Sequence, residues 1–572
     1  MVNKRNTGQY DKYPEKKIEG YQGVAGWKDI CSHLQTVCND GVLFAEFYPG
    51  VDTTEIINNL KAIGGRMFSA EDCMITEEEY HTLIKPYLTE DRVFGVMNTL
   101  CLEDVYSSHK IQAMREELHN CEGLKIIYGT GASLIAPADV LVYFDMSRWE
   151  LQCRYKNGAG NWHTDNGSED KLKKYKQGFF VEWRMADRKK RQLLEKIDFI
   201  VDTVHTGEPK MVCGDGFREG LRLFAREPFR LMPYFAPEVW GGQWMKEICD
   251  LPREEENYAW AFDGVPEENS ILMRFGEVCL ELPSINVVFY QPGQLLGDRV
   301  HARFGDEFPI RFDFLDTMGG QNLSLQVHPL TEYIQNTFGM HYTQDESYYI
   351  LDCEEEALVY LGLKENIDKE EMLSALQKSQ EDGVSFEAER FVNAWPAKKH
   401  DHFLIPAGTV HCSGKNTMVL EISATPYIFT FKLWDWERVG LDGKPRPVHL
   451  QHGKQVIQWE RTTKWVKENL INHFELICEE PGFKEERTGL HEREFIETRR
   501  YTLQGKKTFE SEGSVSMCNV VDGKGMIVTS PDNSFEAFEV HYAETFIIPA
   551  GVRQFSLEPL DGVCMVLRAT VR

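Results

Sequence analysis

The chain has 572 residues, 42% hydrophobic and 12% aromatic, which is ample for several cores and too long for one ordinary domain, so two to four are expected. Its 90 acidic and 63 basic residues leave a net charge of −27, which argues against nucleic acid, whose phosphates demand a basic footprint. No apolar run approaches the ~20 residues of a bilayer span, and Met1-Val2-Asn3-Lys4-Arg5-Asn6 leads into polar sequence without the apolar stretch of a secretory signal.

In chain order, Val42-Leu43-Phe44-Ala45-Glu46-Phe47 reads as a strand stopped by the turn chemistry of Tyr48-Pro49-Gly50. Asp52-Thr53-Thr54-Glu55 then caps a helix beginning near Glu55. Leu124–Tyr128 ends at Gly129-Thr130-Gly131, and Val140–Phe144 ends at Asp145; apolar runs separated by helix-like segments predict buried parallel strands in an α/β layer. This layout loosely resembles a nucleoside-kinase-like P-loop fold, with Asp187-Arg188-Lys189-Lys190-Arg191 near the place of a basic lid. GxxxxGK[ST] is missing from the region, however, and with it the amides and lysine that cradle phosphates. The domain, residues 1–215, is therefore read as non-catalytic and its basic run as a solvated helix face, which argues against a sugar kinase. Turn-rich Thr206-Gly207-Glu208-Pro209-Lys210 marks a boundary between about 205 and 230.

Beyond it the pattern turns to β. Leu323-Ser324-Leu325-Gln326-Val327-His328-Pro329 alternates apolar and polar residues, so Gln326 and His328 project from one face. Asp345–Leu351 sets the carboxylate of Glu346 at the mouth of another apolar strand. Spacing at Met372, Leu373 and Leu376 predicts an inserted helix within about 364–395. Phe403–His411 runs up a strand, turns at Pro406-x-Gly408 and presents His411. A lone strand histidine is usually structural. Two in such contexts, with an amide oxygen and a carboxylate on one small β-unit, make a candidate site for zinc, iron or manganese with a position left for substrate. Lys432, Arg438, Lys444 and Arg446 fall within fifteen residues and would concentrate positive charge against the acidic average. Phe546-Ile547-Ile548-Pro549-Ala550-Gly551-Val552-Arg553-Gln554 repeats Phe403–His411 with glutamine in the histidine's place, and predicts a second barrel without metal ligands.

Pro406-x-Gly408-x-x-His411 resembles the second cupin motif, and Gln326-x-His328 the first with one histidine replaced; Gln-Val-His-Pro in that place resembles class I mannose-6-phosphate isomerase. Glu238-Val239-Trp240-Gly241-Gly242, Phe304–Pro309, Tyr360–Lys364 and Leu441–His449 extend the resemblance over about 230–572. Joined to the α/β N-terminal domain and the internal repeat read above, it gives mainly β tandem cupin (jelly-roll) barrels with a helical insertion after that domain: a metal-binding barrel over 225–455 and a second over 456–572. It also implies interconversion of mannose 6-phosphate and fructose 6-phosphate through an enediolate, with one zinc ion per chain on Gln326, His328, Glu346 and His411. Lys432 and Arg438 stand as catalytic residues, and Ser324, Lys444 and Arg446 as contacts to a hexose phosphate.

Two positions depart from that pattern: Lys432 stands where relatives carry an arginine, and Asp313 where they carry a lysine, with Arg311 sharing its face. These leave open another sugar or sugar phosphate, or a metal-binding sugar sensor without turnover. The general base is open among Asp435, Glu437 and a metal-bound water, and Trp434 and Trp436 are read as pocket wall or packing. Fourteen cysteines, scattered without CxxC pairs, fit reduced thiols and a cytoplasmic protein without membrane contact. Oligomeric state has no sequence signal.

Overall fold

The computed structural model describes residues 9–424, 427, 429–441, 443, 446–489 and 491–572. The N-terminal part is built on a seven-stranded sheet in the order Val24–Ala25, Lys210–Cys213, Phe199–Asp202, Val140–Asp145, Val42–Phe47, Lys125–Gly129, Arg66–Ser69. The last five of these run parallel. Helices cover a sheet of this kind on both faces, which is why its central strands carry near-continuous apolar runs. Asp52 caps the helix Thr53–Leu60 by accepting from Glu55 N at 2.9 Å, two residues earlier than the expected start. The next helix in sequence after the last strand, Gly214–Arg226, extends past the expected limit at 215.

The expected solvated face over Asp187–Arg191 is a correction. Helix Trp183–Leu193 is largely buried, with Asp187 and Lys190 inside. Lys190 pairs with Asp145 at 2.6 Å, where strand Val140–Asp145 ends, and Tyr48 donates to Asp187 at 3.0 Å. Arg148 bridges Asp187 and Glu267, and Asn286 donates to Asp145 at 3.0 Å. The charges tolerate burial because each meets an opposite charge or a hydrogen bond. Glu267 and Asn286 lie beyond residue 226, so the same network fastens the domain to the rest of the chain.

The first barrel pairs a six-stranded sheet, ordered His402–Ile405, Glu346–Cys353, Thr417–Ser423, Arg311–Asp316, Trp260–Gly264, Tyr234–Ala236, with a five-stranded one. The latter is ordered Val392–Pro396, Leu358–Leu363, His411–Ser413, Leu325–Val327, Phe431–Trp434. Helices Lys369–Asp382 and Ala388–Phe391 fill the expected insertion. Trp240 is fully buried edge-on to Trp260, and a Cβ on Gly242 would sit 2.1 Å from Asp316 Oδ1, which explains the Trp-Gly-Gly signature as close packing. The second barrel repeats the plan with sheets of six and four strands between Glu475 and Val571. Its apolar interior, including Tyr501, Cys518, Phe546, Met526 and Phe555, draws on both sheets. No helix among the described residues is long and apolar enough to cross a membrane, and no cysteine is in a disulfide.

Candidate metal centre

Gln326 and His411 are opposite partners in the five-stranded sheet, while Glu346 reaches in from the six-stranded one. Glu346 Oε2 lies 3.0 Å from His328 Nε2, and Oε1 lies 2.8 Å from His411 Nε2. The three ligand atoms fall within 4.8 Å of one another, and all three residues are buried. Gln326 completes the set with its amide 3.3 Å from His411 Nε2, where a half-turn of the amide exchanges its NH2 for its oxygen.

Three observations fit this set to a cation. Nδ1 of His328 donates to Phe429 O at 2.9 Å and Nδ1 of His411 to Thr409 O at 2.8 Å. Each ring therefore turns its Nε2 lone pair inward, the arrangement by which proteins orient metal-binding histidines. His328 Nε2 and Glu346 Oε1 have no hydrogen-bond partner despite these short distances, because their lone pairs aim at a shared space rather than at each other. Finally, burial raises the carboxyl pKa of Glu346, but His328 and His411 outweigh it and hold the group well below the usual range once a ring carries a second proton on Nε2, the position a cation would take in that proton's place. A buried carboxylate needs such a positive neighbour, and a divalent cation supplies it directly.

The turn bearing His411 is held from outside. Gly408 has φ +89°, and a Cβ there would meet Val456 O at 2.9 Å. Buried Arg461 donates from Nη1 to Pro406 O at 2.6 Å, to Ala407 O at 2.8 Å and to Thr409 Oγ1. Asp345 accepts from Ala407 N at 2.7 Å. Gln344 donates to Glu346 Oε2 at 3.0 Å and accepts from Phe429 N at 3.0 Å, so one amide orients two ligand elements. Sequence reasoning missed Arg461 and Gln344; adjacency to Glu346 was the available signal for Gln344, and Arg461 had none.

Lys432 lies directly across from Gln326. Burial, followed by the charge of Arg446, lowers its pKa to about 8. Ser324, Arg438 and Arg446 converge on Asp435: Ser324 Oγ donates at 2.6 Å, Arg438 Nη2 stands at 2.7 Å and Arg446 Nε at 3.2 Å. Consecutive left-handed residues Trp436 and Glu437, at φ +55° and +60°, swing Arg438 back onto that carboxylate. Arg438 also donates to Asn322 O at 2.6 Å, so its guanidinium is spent on this framework. Asp435 is therefore an anchor for two arginines rather than a free base, and Glu437 is exposed. Lys444 lies outside the described residues. Trp434 is buried, with Trp436 against it at 4.3 Å. Arg311 pairs with Asp313 at 3.4 Å inside the barrel, and Asp313 faces Glu421 in the next strand. Burial, opposed by Arg311, raises the Asp313 pKa to about 7.

His449, in the closing motif, went unassigned from sequence. It is buried with neither ring nitrogen hydrogen-bonded, and its backbone N–H donates to Lys432 O at 2.8 Å. Burial lowers its pKa to about 4. The N-terminal domain roofs this corner: the Phe94 ring lies 4.8 Å from His449 and 5.5 Å from Phe429, and Phe179 lies 4.4 Å from Tyr427.

The stretch carrying this centre is similar to mannose-6-phosphate isomerases. The mannose-6-phosphate isomerase ManA of Bacillus subtilis is 26% identical over 336 residues, which is 58% of this chain and 96% of that protein. The mannose-6-phosphate isomerase of Streptococcus mutans is 22% identical over 58% of this chain and 95% of its own length. The crystal structure of the mannose 6-phosphate isomerase from Bacillus subtilis superposes with a TM-score of 0.50 at 19% identity, covering 60% of this chain and 99% of that one, and so shares the cupin fold. Residues 26–226 match a family profile described as a domain of unknown function, DUF8485. That match ends where helix Gly214–Arg226 ends.

Proposed function

We propose that the protein is a metal-dependent aldose–ketose isomerase that interconverts mannose 6-phosphate and fructose 6-phosphate. The observation that carries this reading is the buried His328, Glu346, His411 cluster with Gln326 beside it, in which His328 Nε2 and Glu346 Oε1 have no hydrogen-bond partner, in a barrel similar to enzymes of that name. Zinc suits two imidazoles, one carboxylate and one amide oxygen. When bound, such a cation polarises the sugar oxygens and stabilises the negative charge that develops on the enediolate.

The chain's own groups do the rest. Lys432, beside Gln326, presents a cation to the developing oxyanion, and its lowered pKa keeps it a usable proton donor near neutral pH. His449, whose ring packs on Phe94, is held neutral behind the Lys432 strand and adds no charge to this corner. Arg446, which holds Asp435 most closely through Nε at 3.2 Å, and Lys444 supply the phosphate contacts, which require local positive charge in a chain of net charge −27. Ser324 gives its proton to Asp435 and steadies that anchor.

A coupled assay for fructose 6-phosphate formed from mannose 6-phosphate tests the reading. Turnover that a chelator abolishes and zinc restores is expected. Silence with metal bound overturns it; turnover of an unphosphorylated hexose alone reassigns the substrate. Lys432→Met should retain metal and lose ~10²–10⁴-fold in kcat.

A further inference from the structure

Between the N-terminal domain and the first barrel lies a cleft of about 290 Å³, lined by Arg184, Arg188 and Arg191 together with the carboxylates of Asp187, Glu267, Asp306 and Glu307. The three arginines are spaced i, i+4, i+7 on helix Trp183–Leu193 and so share one face. Arg184 is only 9% exposed, and its Nε and Nη2 have no hydrogen-bond partner. Its nearest carboxylates, Asp187 at 3.7 Å and Glu267 at 3.8 Å, are both held closer by Arg148. Phe179 supports the Arg184 guanidinium at 4.6 Å, fixing it in place. Arg188 gives Nη1 to Leu100 O at 2.7 Å and Asn98 Oδ1 at 3.2 Å and one Nη2 proton to Asn98 O, all neutral oxygens, so its charge pairs with no carboxylate among the described residues. Arg191 pairs with Asp306.

A buried guanidinium with two unused donors is costly unless something accepts from it. The geometry points to a second ligand site in this cleft, for a compact oxyanion-bearing metabolite whose phosphate or carboxylate lies between Arg184 and Arg188. Planar guanidinium donors suit such groups, and the volume is at the low end for small-molecule pockets, which favours a small ligand over a dinucleotide. Burial, followed by the charge of Glu267, raises the Glu307 pKa to about 7, so this wall opposes an anion less than a fully charged carboxylate would. The cleft also touches the site's framework. Met97 N donates to Phe338 O at 2.9 Å across the seam, and His341 precedes Glu346 by five residues. This inference does not rest on the isomerase reading.

The test is calorimetric titration of the metal-loaded full chain with inorganic phosphate and, separately, malonate. An Arg446→Gln background removes the phosphate contact proposed for the other site. One saturable event should survive in that background, and Arg184→Gln added to it should weaken the event at least tenfold. Thr99→Phe, which fills the exposed rim and leaves every arginine in place, should do the same and decides the matter where Arg184→Gln fails to fold. Binding of phosphate over malonate assigns a phosphorylated ligand, and the reverse a carboxylate. Unchanged titrations in both variants, or no event in the Arg446→Gln background, overturn the inference.

Discussion

In the first barrel, Glu346–Cys353 lies between His402–Ile405 and Thr417–Ser423, and its register slips between Ile350 and Asp352. In the second, Ser516–Asp522 lies between Thr545–Ile548 and Cys564–Val571, and slips at the same step, between Val520 and Asp522. Register therefore matches the two barrels residue by residue, although Gln554 and Glu510 are exposed where His411 and Gln326 are buried. Glu346 pairs with Ile405 and Ser423; Ser516 pairs with Ile548 and Thr570. His411 faces Gln326, and Gln554 faces Glu510. Glu421 corresponds in the same way to Arg568, which donates to Ser516 Oγ at 2.9 Å, Tyr501 OH at 3.3 Å and Glu510 O at 3.2 Å. The second barrel also has four strands in its smaller sheet against five, and the missing neighbour of the ligand strand is the one that carries Lys432 in the first. Strand order, the bulge and the Pro-x-Gly turn specify the barrel. A few inward side chains and one added strand specify its chemistry.

The strongest way to break this comparison is to remove one residue from each matched pair. His411→Ala should abolish metal binding and turnover, because it removes one of the two imidazoles and leaves only Gln326 and His328 beside the Glu346 carboxylate. Gln554→Ala, at the matching position of the second barrel, should leave both unchanged. Metal content per chain and the isomerase assay check this together, and equal losses in the two variants would sink the division of labour between the barrels.

Next in size is the support behind the turn. Arg461→Met removes the donor that gathers Pro406, Ala407 and Thr409, without touching a ligand. Loss of such support typically weakens metal affinity ~10–100-fold. Competition with a chromophoric chelator measures it, and an affinity equal to wild type would show that Gly408 and the sheet position His411 unaided.

The two barrels also differ in how legible they were from sequence. Gln326, His328, Glu346 and His411 stood out because alternation and Pro-x-Gly chemistry are local, and the structure brings all four together. The inserted helix and the parallel strands announced themselves through period and turn residues in the same way. Arg461, Gln344 and the pairing of Arg148 with Asp187 and Glu267 did not, because their partners lie tens to more than a hundred residues away. The basic run Asp187–Arg191 misled for that reason: charge in sequence reads as solvated until Asp145 appears beside Lys190. Asp435 reads as one of three candidate bases in sequence because nothing local shows that Arg438 and Arg446 both claim it.

A smaller effect is expected inside the second barrel. Arg568→Met leaves the hydroxyls of Ser516 and Tyr501 and the Glu510 carbonyl without their donor. Unsatisfied buried groups cost ~1–3 kcal/mol, so the unfolding midpoint in denaturant should fall while metal content holds. Loss of metal in this variant would show that the second barrel shapes the first site.

The seam between the barrels gives the finest test, through pH. His402 is fully buried on the strand His402–Ile405, and a Cβ on Gly489 of the second barrel's sheet would meet its ring at 2.9 Å. Burial, followed by the charge of Arg500, holds its pKa down to about 3 against an ordinary 6.5. The folded state thus refuses a proton that the unfolded state accepts. This contribution to stability is complete above pH ~6.5 and is lost as pH falls toward 3, by at most ~1.4 kcal/mol per pH unit. His402→Phe removes that titration, so the stability of the variant relative to wild type should rise steadily from pH 7 to pH 4. A difference that stays flat over that range would mean the imidazole gains a proton in the folded seam, and the barrels would then meet through a charged contact rather than a neutral one.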